Sequence, residues 1–185
     1  MKVNVKKRGR PAKNKGSLGK EQIISAAKLL MEQTESIPSI RALSTELNVD
    51  AMAIYYYFKN KNELLEEITT SLISDIYCPK KSNEWESELL KLSKSYLLSL
   101  ERYNGLLEIL LNMESKSPVE IFISRFKSIT HPLKLSSDDE NALLSLLVDY
   151  IHGFSLAKSC DKKQILKIDD IDKPFKLICK TIAAQ

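Results

Sequence analysis

The sequence predicts an all-α protein, and three observations carry that prediction. Apolar residues recur at three- and four-residue spacing along most of the chain. Leu, Ile, Ser and Lys dominate, while the alternation of β-branched residues that marks strands is scarce. Only five glycines and six prolines punctuate 185 residues. A hydrophobic content of 43% is enough for a substantial core. No apolar run reaches the roughly 18–20 residues of a membrane span. The charges at the N-terminus are followed by no hydrophobic segment, which argues against a secretory signal. Cys78, Cys160 and Cys179 are odd in number and lack ligand-like spacing. They read as free, mostly buried thiols in a reducing cytoplasm.

The first element is a basic arm. Residues 1–20 carry Lys2, Lys6, Lys7, Arg8, Arg10, Lys13, Lys15 and Lys20 and no acid. The rest of the chain holds 20 cations against 24 acids. A basic arm on a mildly acidic body points to a polyanion that the arm reaches. On its own, such a segment has too little apolar surface to fold.

The second element is a helix over 20–34, with Ile23, Ala26, Ala27 and Leu30 on one face. Pro38 breaks the chain and Ser39 is a candidate N-cap for "SIRALSTELN", where Ile40, Leu43 and Leu47 keep helical spacing. Asn48 tolerates the left-handed backbone of a turn. Asp50 can cap a third helix of about two turns, "AMAIYYYF", and a fourth runs from Lys61 to near Cys78-Pro79. Three short helices with a tight turn between the second and third make a helix-turn-helix domain. Leu43, Leu47, Val49, Ile54 and Phe58 would be its core. Ala51, Met52, Ala53 and Tyr56 would stay exposed, and small side chains let a helix sit deep in the major groove. Tyr55, Tyr56 and Tyr57 cannot all be core, and outward hydroxyls are good phosphate donors. Residues 21–62 hold four cations against five acids. Charge alone therefore does not mark this domain.

Residues 39–65, "SIRALSTELNVDAMAIYYYFKNKNELL", resemble the DNA-binding signature of the tetracycline-repressor (TetR) family of bacterial transcription regulators. That signature runs from Thr or Ser at the start of helix 2 through an apolar helix and a turn. It ends in Tyr-x-x-Phe and then Lys at the start of helix 4. Here the positions are Ser39, Leu43 and Leu47, Tyr55 and Phe58, and Lys61. Two positions depart from the pattern: Asn48 replaces the usual turn Gly and Ser44 the usual Ala. The resemblance implies that Ser39, Tyr55, Tyr56 and Lys61 hold phosphates. It implies that Arg41, Ala51, Met52 and Ala53 face or reach base edges, with Arg41 the one long donor for a guanine contact or, equally, a phosphate.

Within the arm, "RGRP" (8–11) resembles the core of an AT-hook. Gly9 would let the backbone lie on the minor-groove floor, Pro11 would fix an extended direction, and Arg8 and Arg10 would enter its negative potential. General electrostatic attraction is the alternative.

Further along, residues 84–103 form an amphipathic helix with Trp85, Leu89, Leu92, Tyr96, Leu100 and Tyr103 in a stripe. Residues 104–113 make a short apolar helix. Pro118 suits the first turn of a helix over 117–130, which stops at His131-Pro132. Residues 137–160 read as a long helix with Asp138 and Asp139 at its positive end, and Pro174 opens a last one over 173–182. The predicted organisation is a basic arm (1–19), a DNA-binding domain (20–68) and a helical regulatory and dimerisation domain (69–185). The resemblance implies a four-helix dimer interface from about 137–160 and 173–184. The apolar excess of Leu143, Leu144, Leu146, Leu147, Ile151 and Phe154 agrees in kind, and Gly153 would permit close approach.

The resemblance also implies a ligand cavity in the C-terminal domain. Tyr96, Tyr103, Met113, Phe122, Phe126, Tyr150 and His152 could line it, each alternatively being ordinary core. His131 and His152 lie without a carboxylate pattern, so no metal site is expected. No nucleophile-base order or phosphate loop suggests an enzyme, and no cofactor is expected. The reading is a ligand-responsive repressor that binds a palindromic double-stranded DNA operator as a homodimer, with a small apolar or amphipathic effector. The alternative is a DNA-binding interaction or architectural protein controlled by a protein partner.

Overall fold

The computed structural model describes residues 18–34 and 36–183, and among these every regular element is helical. The N-terminal helices are α1 (Lys20–Thr34), α2 (Ile40–Glu46), α3 (Ala51–Tyr55) and α4 (Lys61–Ser74). Short polar side chains set the starts of the last three. Ser39 Oγ accepts the Ala42 N–H at 3.0 Å, Asp50 Oδ1 the Ala53 N–H at 2.8 Å, and Asn60 Oδ1 the Glu63 N–H at 2.9 Å. Each satisfies an N–H that the first helical turn leaves unpaired, worth about 1 kcal/mol. Between α2 and α3 the chain turns at Asn48 with φ 52°, in the left-handed region that Asn tolerates.

α3 is shorter than the expected two turns. After Tyr55 the chain tightens: the Tyr57 N–H donates to the Ile54 carbonyl at 3.0 Å and the Phe58 N–H to the same oxygen at 3.3 Å. Phe58 thereby reaches the core, and Asn60 is placed to open α4. Of the five expected core residues, Leu43, Ile54 and Phe58 are buried, while Leu47 and Val49 pack against the core partly exposed. α4 also ends earlier than expected, at Ser74. There the guanidinium of Arg125 donates to the carbonyls of Ile73 (3.1 Å), Ser74 (2.9 Å) and Ile76 (2.8 Å).

The remaining helices are α5 (Trp85–Arg102), α6 (Leu106–Asn112), α7 (Ser117–Thr130), α8 (Ser137–Cys160) and α9 (Asp172–Ala183). Tight turns at His131–Leu133 and Ile168–Ile171 precede α8 and α9. α8 is capped by Ser136, whose Oγ accepts the Asp139 N–H at 3.1 Å. Three acids occupy its first turn, where the helix dipole favours them. The buried stripe of α5 is Leu89, Leu92, Tyr96 and Leu100, with Trp85 and Tyr103 at its half-buried ends.

One apolar core runs from Ile23 of α1 to Cys179 of α9. α4 joins its two ends, packing on α1 and most extensively on α7. A second junction lies at Gly105, where the backbone has φ +86° and a Cβ would stand 3.0 Å from Ile37 Cγ1. Only Gly meets both demands there. Arg102 adds an ion pair to Glu32 of α1 at 3.1 Å. The thiols differ from expectation: Cys179 is buried, but Cys78 and Cys160 are exposed, because both follow the last buried turn of a helix.

Candidate functional site

α3 is held on the core by Ile54 and carries its outward face on Met52 and Tyr56, 74% and 83% exposed. Ala51 and Ala53 are half-buried beside them and add no bulk. Tyr55 is 39% exposed, at the edge of that face. Ser39, Arg41 and Lys61 are exposed at the starts of α2 and α4. Because Ser39 Oγ accepts from Ala42, its hydrogen is left for an outside acceptor. Lys59 is exposed as well, whereas Lys28 is engaged by Asp75 at 2.6 Å. Arg8 and Arg10 lie outside the described residues.

Tyr57 has a role that its spacing did not reveal. Its hydroxyl donates to the Leu18 carbonyl, tying the residues just before α1 to the turn after α3. Its ring meets Tyr56 edge-on with centroids 5.1 Å apart. Lys20, at the start of α1, lies 5.3 Å from the Phe58 ring centre and pairs with Glu67 at 3.4 Å. The bond to Leu18 and the Lys20 contacts join residues 38 to 47 positions apart, so no local pattern announces them.

In the C-terminal half, three of the seven cavity candidates come together. Tyr96 and His152 Nε2 share a hydrogen bond of 2.7 Å, and the Tyr96 ring lies 5.0 Å from Phe122 and 5.7 Å from His152. Burial raises the Tyr96 pKa, and burial lowers that of His152, opposed by Asp149. Both shifts favour the un-ionised forms, and the tautomer of the imidazole sets which of the two groups donates. Phe126 is wholly buried core. The other three lie apart: Tyr103 under the Arg102 guanidinium, Tyr150 beside Phe154, and Met113 in a cleft near Ile37.

Among the described residues, three surface clefts bear on the site. One of about 560 Å³ lies among α1, α5 and the end of α8, lined by charged residues that are largely paired: Arg102 with Glu32, and Lys158 with Glu101 at 3.2 Å. One of about 600 Å³, between α4 and α6, contains Met113. The third, of about 750 Å³, lies between the α4–α5 loop and the end of α7. The Tyr96, Phe122 and His152 cluster lines none of the three.

α8 presents two faces. Leu143, Leu147 and Ile151 are buried in the core, whereas Leu146 and Leu156 are 53% and 52% exposed on the far side. Gly153 shares that side, and a Cβ built on it meets nothing within 4 Å. On α9, Phe175 and Cys179 point inward and Leu177 is 64% exposed.

Residues 23–68 match the family model of bacterial regulatory proteins, tetR family. No curated protein matches the sequence. Apo ActR from Streptomyces coelicolor superposes with TM-score 0.77 at 14% identity, over 92% of this chain and 97% of that one. Mycobacterium smegmatis BioQ gives 0.73 at 17%, over 91% and 99%; BioQ has also been solved with its natural double-stranded DNA operator. A TetR variant from Acinetobacter baumannii AYE, bound to minocycline, gives 0.70 at 21%, over 91% and 96%. At such identities the likeness is one of fold. Residues 23–68 are a helix-turn-helix domain of the tetR family of bacterial regulatory proteins, and the chain has the fold of a TetR-family transcription regulator.

Proposed function

We propose that this protein is a ligand-responsive transcriptional repressor of the cytoplasm that grips a palindromic operator as a homodimer. In this reading residues 1–19 are an arm along DNA, 20–68 read the operator, and 69–185 dimerise and sense an effector. The observation that carries it is the division of α3. Ile54 and Phe58 anchor the recognition segment while Met52 and Tyr56 project from it, between exposed Ser39 and Lys61. Met52, Arg41 and the two alanines would meet base edges, and Ser39, Tyr55, Tyr56 and Lys61 the phosphates on either side. The operator-bound structure of BioQ supports this use of the fold.

The exposed leucines of α8 and α9 support pairing with a second copy through about 137–160 and 173–184, which would set two recognition helices roughly one DNA turn, 34–36 Å, apart. The minocycline complex of the Acinetobacter baumannii TetR variant supports a small-molecule effector for this fold, and the C-terminal half is where this reading places it. Such an effector must bind better to an arrangement whose recognition helices no longer match the groove. α4, shared between α1 and α7, is the element through which that change would pass.

The test uses fluorescence anisotropy with the duplex this protein selects from a random pool. Tyr55→Phe and Lys61→Ala are expected to weaken selected and random duplexes alike. Arg41→Ala and Met52→Ala are expected to change which duplex is preferred, by about 1–3 kcal/mol at the affected base pair. If Tyr55→Phe shifted sequence preference and left general affinity intact, the assignment of roles would be wrong.

A further inference from the structure

The cleft of about 750 Å³ at the far end of α4 is of small-molecule size. Its charge is one-sided. Lys80 and Lys81 of the α4–α5 loop and Lys127 of α7 line it, and none of them is paired with a carboxylate among the described residues. The one acid in its wall, Glu88, is 4% exposed and already engaged through both oxygens. It accepts from Lys91 Nζ (2.8 Å), the Lys80 backbone N–H (2.9 Å) and the Tyr77 hydroxyl (2.8 Å). Those bonds hold the loop against α5, so its lysines are presented on a fixed support rather than on a free strand. Ser124 places a hydroxyl on the α7 side, that of Ser128 donates to the Arg125 carbonyl at 2.7 Å, and Trp85 with Pro132 supplies an apolar wall.

We propose that this cleft binds a small organic anion with an aromatic or apolar body, its charge on Lys80, Lys81 and Lys127 and its body against Trp85. Unpaired cations beside a half-buried indole suit such a molecule: the anion replaces solvent around the lysines, and the ring system covers apolar wall. The site is separate from the Tyr96, Phe122 and His152 cluster, and it is charged where that cluster is neutral. It also touches the machinery of α4. Arg125, which clamps the end of α4, lies next to Ser124 on the same helix, and the loop that carries Lys80 and Lys81 leaves from that clamped end. A ligand here would act where α4 meets α7; this regulatory meaning rests on the effector-controlled repressor reading, whereas binding itself does not.

Trp85 is the chain's single tryptophan, so it is the one indole donor for a bound probe, and the lysine variants below assign the bound probe to this cleft. The probes are 8-anilino-1-naphthalenesulfonate and N-phenyl-1-naphthylamine, which share a ring system and differ by the sulfonate. Saturable energy transfer from Trp85 to the sulfonate is expected, with affinity at least about tenfold above that of the neutral probe. Lys80→Ala with Lys127→Ala should weaken the sulfonate by about tenfold and leave the neutral probe unchanged. Lys162→Ala with Lys163→Ala, on the α8–α9 connection, should change neither. Equal affinity for the two probes, or unchanged sulfonate affinity in the Lys80 and Lys127 variant, would overturn the site. Anisotropy on the selected duplex is read in parallel. Sulfonate binding that leaves DNA affinity unchanged upholds the anion site and rejects its role as an effector site.

Discussion

Replacing Gly153 separates the stability of one protomer from that of the pair. In a single chain a Cβ at 153 meets nothing within 4 Å, and α8 is helical through that position. Gly153→Ala should therefore stabilise the protomer by about 1 kcal/mol through helix propensity, raising the melting temperature by roughly 2–4 °C. Gly153→Leu retains most of that gain, since Leu is nearly as good a helix former. The pair responds differently. Leu146, Leu156 and Leu177 expose about half or more of their surface on the same side as Gly153 or on α9. Covering each by a second copy would contribute about 1 kcal/mol per side chain. Two α8 helices that approach at a glycine must move apart to admit two leucines, at a cost of about 1–3 kcal/mol for each. Dimerisation should thus weaken by roughly 30-fold to 10⁴-fold while helical content, and thermal stability measured at concentrations where both proteins are monomeric, are kept or raised. Sedimentation velocity across a concentration series reads the first quantity, and circular dichroism the second. A Gly153→Leu protein that stays dimeric with unchanged affinity would refute the placement of the interface. One that unfolds would refute the claim that this face is open in the protomer.

Three further perturbations test other parts of the reading. Deleting residues 1–16 removes seven cations; each phosphate that the arm no longer neutralises should flatten the slope of log affinity against log salt by about 0.9, and an unchanged slope would make the arm a passive tail. Arg125→Met removes three hydrogen bonds to the end of α4 and should cost about 2 kcal/mol in urea denaturation; a loss below about 0.5 kcal/mol would show that the clamp is dispensable. Glu88 is held down to about 2, from an ordinary 4.5, by hydrogen bonds from Lys91, the Lys80 N–H and Tyr77. A depressed carboxylate contributes stability that is complete above its unfolded pKa and fades as the pH falls from about 4.5 towards 2. Glu88→Gln should flatten the urea midpoint over that window, and an unaltered pH profile would show that its carboxylate is unimportant.

The helices and their boundaries were largely legible in the sequence because their determinants are local. Ser39, Asp50 and Asn60 cap helices whatever lies around them. Asn48 turns the chain because of its own side chain, and periodic leucines mark the buried face of α5. The outward face of α3 was legible for the same reason: Ala51, Met52, Ala53 and Tyr55 sit at fixed angles on one short helix that Tyr56 closes. Where local logic met a distant partner, the sequence was silent. α3 closes early and α4 ends at Ser74 because Phe58 must reach the core and Arg125 arrives from about 50 residues away. Tyr57 has no role in the sequence reading beside Tyr55 and Tyr56, and only the fold brings the Leu18 carbonyl to it. The candidate cavity residues share a composition, yet only Tyr96, Phe122 and His152 meet, since helix crossing and not spacing decides which stripes converge. The basic cleft beside Trp85 is built from the α4–α5 loop, α7 and the turn after it. No single segment looks unusual in charge, and only packing those elements together makes one-sided charge out of ordinary surface lysines.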